Sequence, residues 1–163
     1  MKNKSHTLEE VQLLMEHYCA YQERCHQEVE QKLFDYGVYQ NDRAQIIYHL
    51  ITQNFLNEER FAKGFSRGKF NIKHWGRNKI KLALQQRNIA AFLVDVGLKE
   101  IDEDDYLTIL SKEMDKKLNT ITEKDPWKRK KKLFNYLMQK GYEYPLIEQV
   151  WNGIPSAPLG VRK

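Results

Sequence analysis

Between residues 60 and 94 of this 163-residue chain lie Arg60, Lys63, Arg67, Lys69, Lys73, Arg77, Lys79, Lys81 and Arg87, without one Asp or Glu among them. Ammonium and guanidinium groups at that density do one kind of chemistry: they hold phosphates or carboxylates, lysine as a point charge and arginine as a planar fork. A second basic run, Lys128-Arg129-Lys130-Lys131-Lys132, follows later. The candidate contacts are the first eight residues of the central run together with Lys128, Arg129, Lys131 and Lys132. A charge run also serves solubility, but mixed signs would do that, so an acid-free run of this length favours a polyanionic partner. Trp75 and Trp127 border the two runs and have rings that stack on unpaired bases in single-strand binders. Their equivalent positions beside the start of the same helix nevertheless assign both to the core.

Catalytic chemistry finds no such support. The acidic stretch Asp102-Glu103-Asp104-Asp105 lacks the spaced ligands and glycine of a calcium loop and reads better as a helix cap. His6, His17, His26, His49 and His74 form no cluster, and neither a glycine-rich phosphate loop nor a nucleophile elbow occurs. Cys19 and Cys25 are six apart, not a zinc spacing, and read as two reduced thiols. We therefore expect no enzyme, no cofactor and no metal. The sequence contains no apolar run of membrane-spanning length, and the start MKNKSHTLEE has no signal-peptide core, so a soluble cytoplasmic protein is expected. Nothing resembles a long heptad seam, and a monomer is the expectation.

The elements that must carry these groups are helices. Thr7-Leu8-Glu9-Glu10 is a capping box leading into Val11, Leu14, Met15 and Tyr18. Val29, Leu33 and Tyr36 mark a second helix that stops at Gly37, and Asn41-Asp42 offers the cap of a third bearing Ile46, Ile47, Leu50 and Ile51. Asn57 caps the next, which carries Phe61 and Phe65; a break at Trp75-Gly76 precedes a helix with Ile80, Ala83 and Leu84, and Ala90 to Leu98 is a further apolar segment. Asp102 caps a helix through Tyr106, Leu110, Met114 and Leu118, Trp127 opens another through Met138, and Pro145 stands in the first turn of the last. No hairpin signal or sustained alternation competes.

The pattern repeats. Val29, Ile80 and Leu133 correspond, as do Leu33, Leu84 and Leu137, then Gly37, Asn88 and Gly141, while Trp75-Gly76-Arg77 aligns with Trp127-Lys128-Arg129. The fold expected is all-α, with three tandem three-helix, helix-turn-helix-like repeats over 1–54, 55–101 and 102–154, and a disordered tail at 155–163. Phe61, Phe65, Trp75, Ile80, Leu84, Trp127, Leu133 and Leu137 are its expected core. A charged fraction of 30% points to an elongated shape.

The segment Leu56-Asn57-Glu58-Glu59-Arg60-Phe61-Ala62, followed by Gly68-Lys69-Phe70, Trp75-Gly76-Arg77, Ile80 and Leu84, resembles the central motif of the RecX family, regulators of the bacterial recombinase RecA. Lys99-Glu100-Ile101-Asp102 and Tyr106 extend the match. The resemblance implies an elongated, curved, right-handed or solenoid-like helical array that binds the RecA filament on single-stranded DNA, in its groove. It also implies inhibition of RecA's ATP hydrolysis, strand exchange and co-protease activity, and so a role in recombinational DNA repair and the SOS response. This chain departs from the family pattern at Ala90-Ala91, where a capping Ser is common, and in its acidic first repeat. A different reading of the same residues is a helix-turn-helix protein that binds nucleic acid directly, with steeply salt-dependent affinity for duplex DNA. A third is an RNA-binding or purely structural scaffold.

Overall fold

The computed structural model describes residues 5–153, and the tail reading for 155–163 lies outside the described residues. Nine helices follow one another, with no strand among the described residues: α1 (Leu8–Tyr21), α2 (His26–Asp35), α3 (Gln40–Thr52), α4 (Glu58–Lys73), α5 (Arg77–Gln86), α6 (Ala91–Leu98), α7 (Glu103–Leu118), α8 (Pro126–Gln139) and α9 (Tyr144–Gly153). They form three tandem three-helix repeats. The register read from the sequence is met in space. Val29, Ile80 and Leu133 are fully buried, as are Leu33, Leu84 and Leu137. Gly37, Asn88 and Gly141 all take positive φ, at 76°, 56° and 102°. A left-handed residue ends the middle helix of every repeat, which explains why glycine or asparagine recurs there.

Side-chain caps open α1, α4, α7 and α8. The Thr7 hydroxyl accepts from the Glu10 N–H while the Glu10 carboxylate accepts from the Thr7 N–H. The Asn57 and Asp102 side chains accept from the Arg60 and Asp105 N–H groups in the same way. α3 departs from expectation. It begins after Tyr39 with no side-chain cap, so the Asn41-Asp42 pair falls inside the first turn. The Arg43 guanidinium instead reaches back to the Val38 carbonyl and Glu30, fixing the entry to this helix.

Two hydrophobic cores result rather than three. Val11, Met15, Cys19, Val29, Leu33, Ile46 and Leu50 close the first repeat on itself. The second and third repeats share one continuous core that joins Phe61, Phe70, Ile80 and Leu84 to Tyr106, Leu110, Leu133, Leu137 and Trp151. The joint between them is built from backbone. The Gly76 N–H donates to the Lys140 carbonyl (2.8 Å), the Asn78 N–H to the Gly141 carbonyl (2.9 Å) and the Arg77 N–H to the Tyr106 hydroxyl (3.0 Å). These are donors that a helix start leaves without intrahelical partners, and α5 has no side-chain cap of its own, so the third repeat caps the second.

The first joint follows the same logic more loosely. There the Glu58 carboxylate, from the second repeat, accepts from the His26 N–H at the start of α2. A cleft of about 610 Å³ stays open beside it, between His26, Phe34, Arg43 and Arg87. α8 instead caps itself, the Asp125 carboxylate accepting from the Lys128 N–H and Pro126 filling the first turn.

Candidate polyanion-binding surface

The repeats sort the basic residues into two populations. Arginines mostly turn inward. The Arg60 guanidinium donates to the Glu23 carboxylate and to the Asn54 and Phe55 carbonyls, tying the first repeat to α4. Arg77 pairs with Glu103 and Glu143 and lies 3.9 Å above the Tyr106 ring. Arg129 donates to the Leu118 and Ile121 carbonyls at 2.7 and 2.6 Å, closing the end of α7. Arg87 donates to the Ala83 carbonyl and covers Phe65. On the surface, Lys63 and Arg67 both meet Glu100, and Lys63 also pairs with Glu59.

The remaining lysines make the accessible patch. Lys69 and Lys79 stand over the Trp75 ring, 4.9 and 4.4 Å from its centre, while Lys73 and Lys81 are exposed on the same two helices. Among the described residues none of these four is paired with a carboxylate. Trp75 packs against the core below them, so its ring is already in use as a cation platform.

The C-terminal run divides likewise. Arg129 is internal, Lys132 meets Glu123 at 3.7 Å, Lys130 covers Phe134, and Lys128 and Lys131 have no carboxylate partner among the described residues. Trp127, expected in the core beside its repeat equivalent, is instead 68% exposed. The reason is positional: Trp75 is packed where the third repeat docks, whereas among the described residues no element covers Trp127 at the start of α8.

An acid-free run in the chain is thus not acid-free in space. Glu23, Glu100 and Glu143 arrive from the segments between helices and Glu103 from the start of α7, at separations that local charge counting does not see. Because Arg129 donates to two carbonyls at and beyond the end of α7, we expect Arg129→Ala to cost about 2 kcal/mol of stability. That should appear as a melting temperature lowered by about 6 °C, with binding unchanged at temperatures where the variant is folded.

Among the described residues, no group of three or more His, Cys, Asp or Glu side chains is placed to hold a metal ion. Cys19 and Cys25 are buried thiols, and burial pushes Cys19 up to about 11, which keeps it protonated and unreactive at neutral pH. No described helix is long and apolar enough to cross a membrane.

Three-helix repeats that turn lysines outward define a class, the helical-repeat proteins with basic faces. Two family models match this chain, one described as RecX, second three-helix domain, over residues 57–98, and one as RecX, third three-helix domain, over 103–151. The chain belongs to the RecX family.

Its similarity to curated relatives called regulatory protein RecX agrees. It is 31% identical over 125 residues to the one from Clostridium perfringens (strain 13 / Type A) and 32% over 127 residues to the one from Clostridium tetani, covering 76% and 77% of this chain. The chain spans 58% of the length of each of these relatives. In fold it is similar to the crystal structure of RecX from Lactobacillus salivarius, with a TM-score of 0.79 over 89% of this chain and 94% of that one at 22% identity.

Proposed function

We propose that this protein binds the RecA filament on single-stranded DNA and lowers RecA's activities, ATP hydrolysis, strand exchange and co-protease function, so tempering recombinational repair and the SOS response. Membership of a family of regulatory proteins supports the reading, and one structural observation carries it. Lys69, Lys73, Lys79 and Lys81 stand on α4 and α5 without carboxylate partners among the described residues, ready to meet phosphates or acidic side chains on a filament. The action is occupation. The lysine face bridges neighbouring subunits and DNA phosphates, and inhibition follows from blocked or altered subunit contacts without chemistry on a substrate. The protein acts in the cytoplasm, as a monomer, and needs no cofactor.

The test is single-stranded-DNA-dependent ATP hydrolysis by RecA, titrated with this protein at amounts well below one per RecA subunit. Inhibition at such ratios is the expected result. Absence of inhibition, with single-stranded DNA shown to remain available, would sink the reading in favour of a general nucleic-acid-binding repeat. Replacing Lys69, Lys73, Lys79 and Lys81 by Gln keeps the apolar stems and removes four charges. The quadruple variant should need about ten-fold more protein for half-inhibition while its helicity is unchanged. Arg77 is left intact in this design because its loss would disturb the joint between repeats.

A further inference from the structure

The start of α8 combines features that the lysine face on α4 and α5 lacks. Trp127 stands 68% exposed on the second residue of the helix, and Lys131, one turn on, holds its ammonium 5.2 Å from the ring centre. Lys128 is its neighbour, and both lysines are exposed and unpaired among the described residues. The carboxylates nearby are occupied: Asp125 caps the Lys128 N–H, and Glu123 accepts from the Asp125 N–H and meets Lys132. Lys130 turns to the other side, over Phe134 and Trp151. An indole with an open face, flanked by free ammonium groups, offers a π-surface and phosphate partners within one helical turn.

We propose that Trp127 is a base-stacking contact for a single-stranded nucleic acid, with Lys128 and Lys131 holding the phosphates on either side of the stacked nucleotide. The occupants that compete for an exposed Trp fit less well. A protein partner would have to desolvate a ring ringed by lysines, a residue type depleted from protein interfaces. A further repeat or a second copy docking here would repeat the Gly76 joint, but of the equivalent N–H groups at the start of α8 the one on Asp125 already donates to Glu123 and Pro126 has none. Stacking, by contrast, needs only one open face and tolerates any base. The inference shares with the proposed function only the premise that this protein meets a nucleic-acid strand. It can be tested without RecA.

The experiment measures binding of the full chain to an oligothymidylate of about ten nucleotides and to an abasic strand of equal length at low salt. Trp127→Ala should weaken oligothymidylate binding about ten-fold, within the range alanine substitution gives for a base on an aromatic platform, and leave abasic binding unchanged. Trp127→Phe, which restores a π-face, should recover most of the loss, and Lys131→Gln should weaken both strands. Melting temperatures should not move for the Trp127 variants, because the ring is outside the core.

Equal binding of both strands by Trp127→Ala and the unaltered protein would overturn the proposal, as would an equal loss on both strands or no binding by the unaltered chain. Inhibition of RecA lost in Trp127→Ala with both oligonucleotides bound normally would assign the ring to a protein contact instead. Failure of the RecA reading shows in the ATP hydrolysis titration alone and leaves these comparisons standing.

Discussion

Gly76→Ala should open the joint between the second and third repeats. A Cβ added at Gly76 would lie 2.2 Å from the Gly141 carbonyl carbon and 2.3 Å from the Tyr142 nitrogen. All of these are backbone atoms, so no side chain can swing away and the two repeats must separate. Separation breaks the Gly76 to Lys140 and Asn78 to Gly141 hydrogen bonds and exposes part of the shared core. Overpacking of this kind costs about 3 kcal/mol, which for a chain of this size lowers the melting temperature by about 10 °C. Amide exchange at Asn78 should accelerate in the variant while exchange in α1 to α3, whose core is separate, does not. A variant that melts like the unaltered protein would show that the joint is softer than its backbone contacts imply.

The second large effect is expected at Glu113, which is 4% exposed behind the same joint. Its carboxylate accepts from Nδ1 of His74 and from Nζ of Lys140, each at 2.7 Å, linking the end of α4 to α7 and α8. Burial by itself would push this carboxyl up, but the hydrogen bonds from Lys140 and His74 outweigh it and hold the group below its ordinary value. A depressed folded value means that Glu113 stabilises the protein at pH above the ordinary carboxyl range. That contribution fades as pH falls below about 4.5, through the folded value.

Glu113→Gln should therefore lower stability at neutral pH and flatten the acid limb of a plot of melting temperature against pH. Glu113→Ala leaves His74 and Lys140 without their shared partner. It should cost about 2 kcal/mol, less than for a sealed ion pair because both cations reach solvent. A Glu113→Gln profile that parallels the unaltered protein between about pH 3 and 7 would remove the carboxylate from the account.

These two sites mark where sequence reading stops. Nothing local to Gly76 shows that Gly141 will lie against it, since 65 residues separate them, and nothing local to Glu113 names His74 and Lys140. The same limit explains the basic residues. Arg60, Arg77 and Arg129 belong to runs that look uniformly exposed in the chain, yet each finds carbonyls or carboxylates outside its own helix. Repeat symmetry places Trp127 in the core, and the symmetry fails because among the described residues no element covers its ring as the third repeat covers the surroundings of Trp75.

The sequence by itself determined the helices, the threefold repeat and the inward residues Val29, Leu33, Ile80, Leu84, Leu133 and Leu137. It also determined the left-handed stops at Gly37, Asn88 and Gly141. These follow from 3.6-residue periodicity, caps three residues apart and the φ demanded at a helix end, all of which are interactions within about one or two turns. Only the tertiary structure decided which cations stay available for a partner, that the second and third repeats share one core while the first keeps its own, and that the first and second repeats each take helix-start partners from the repeat that follows. Those outcomes depend on backbone groups and charges far apart in the chain meeting at a joint, and their pairing energy exists only once the helices have packed.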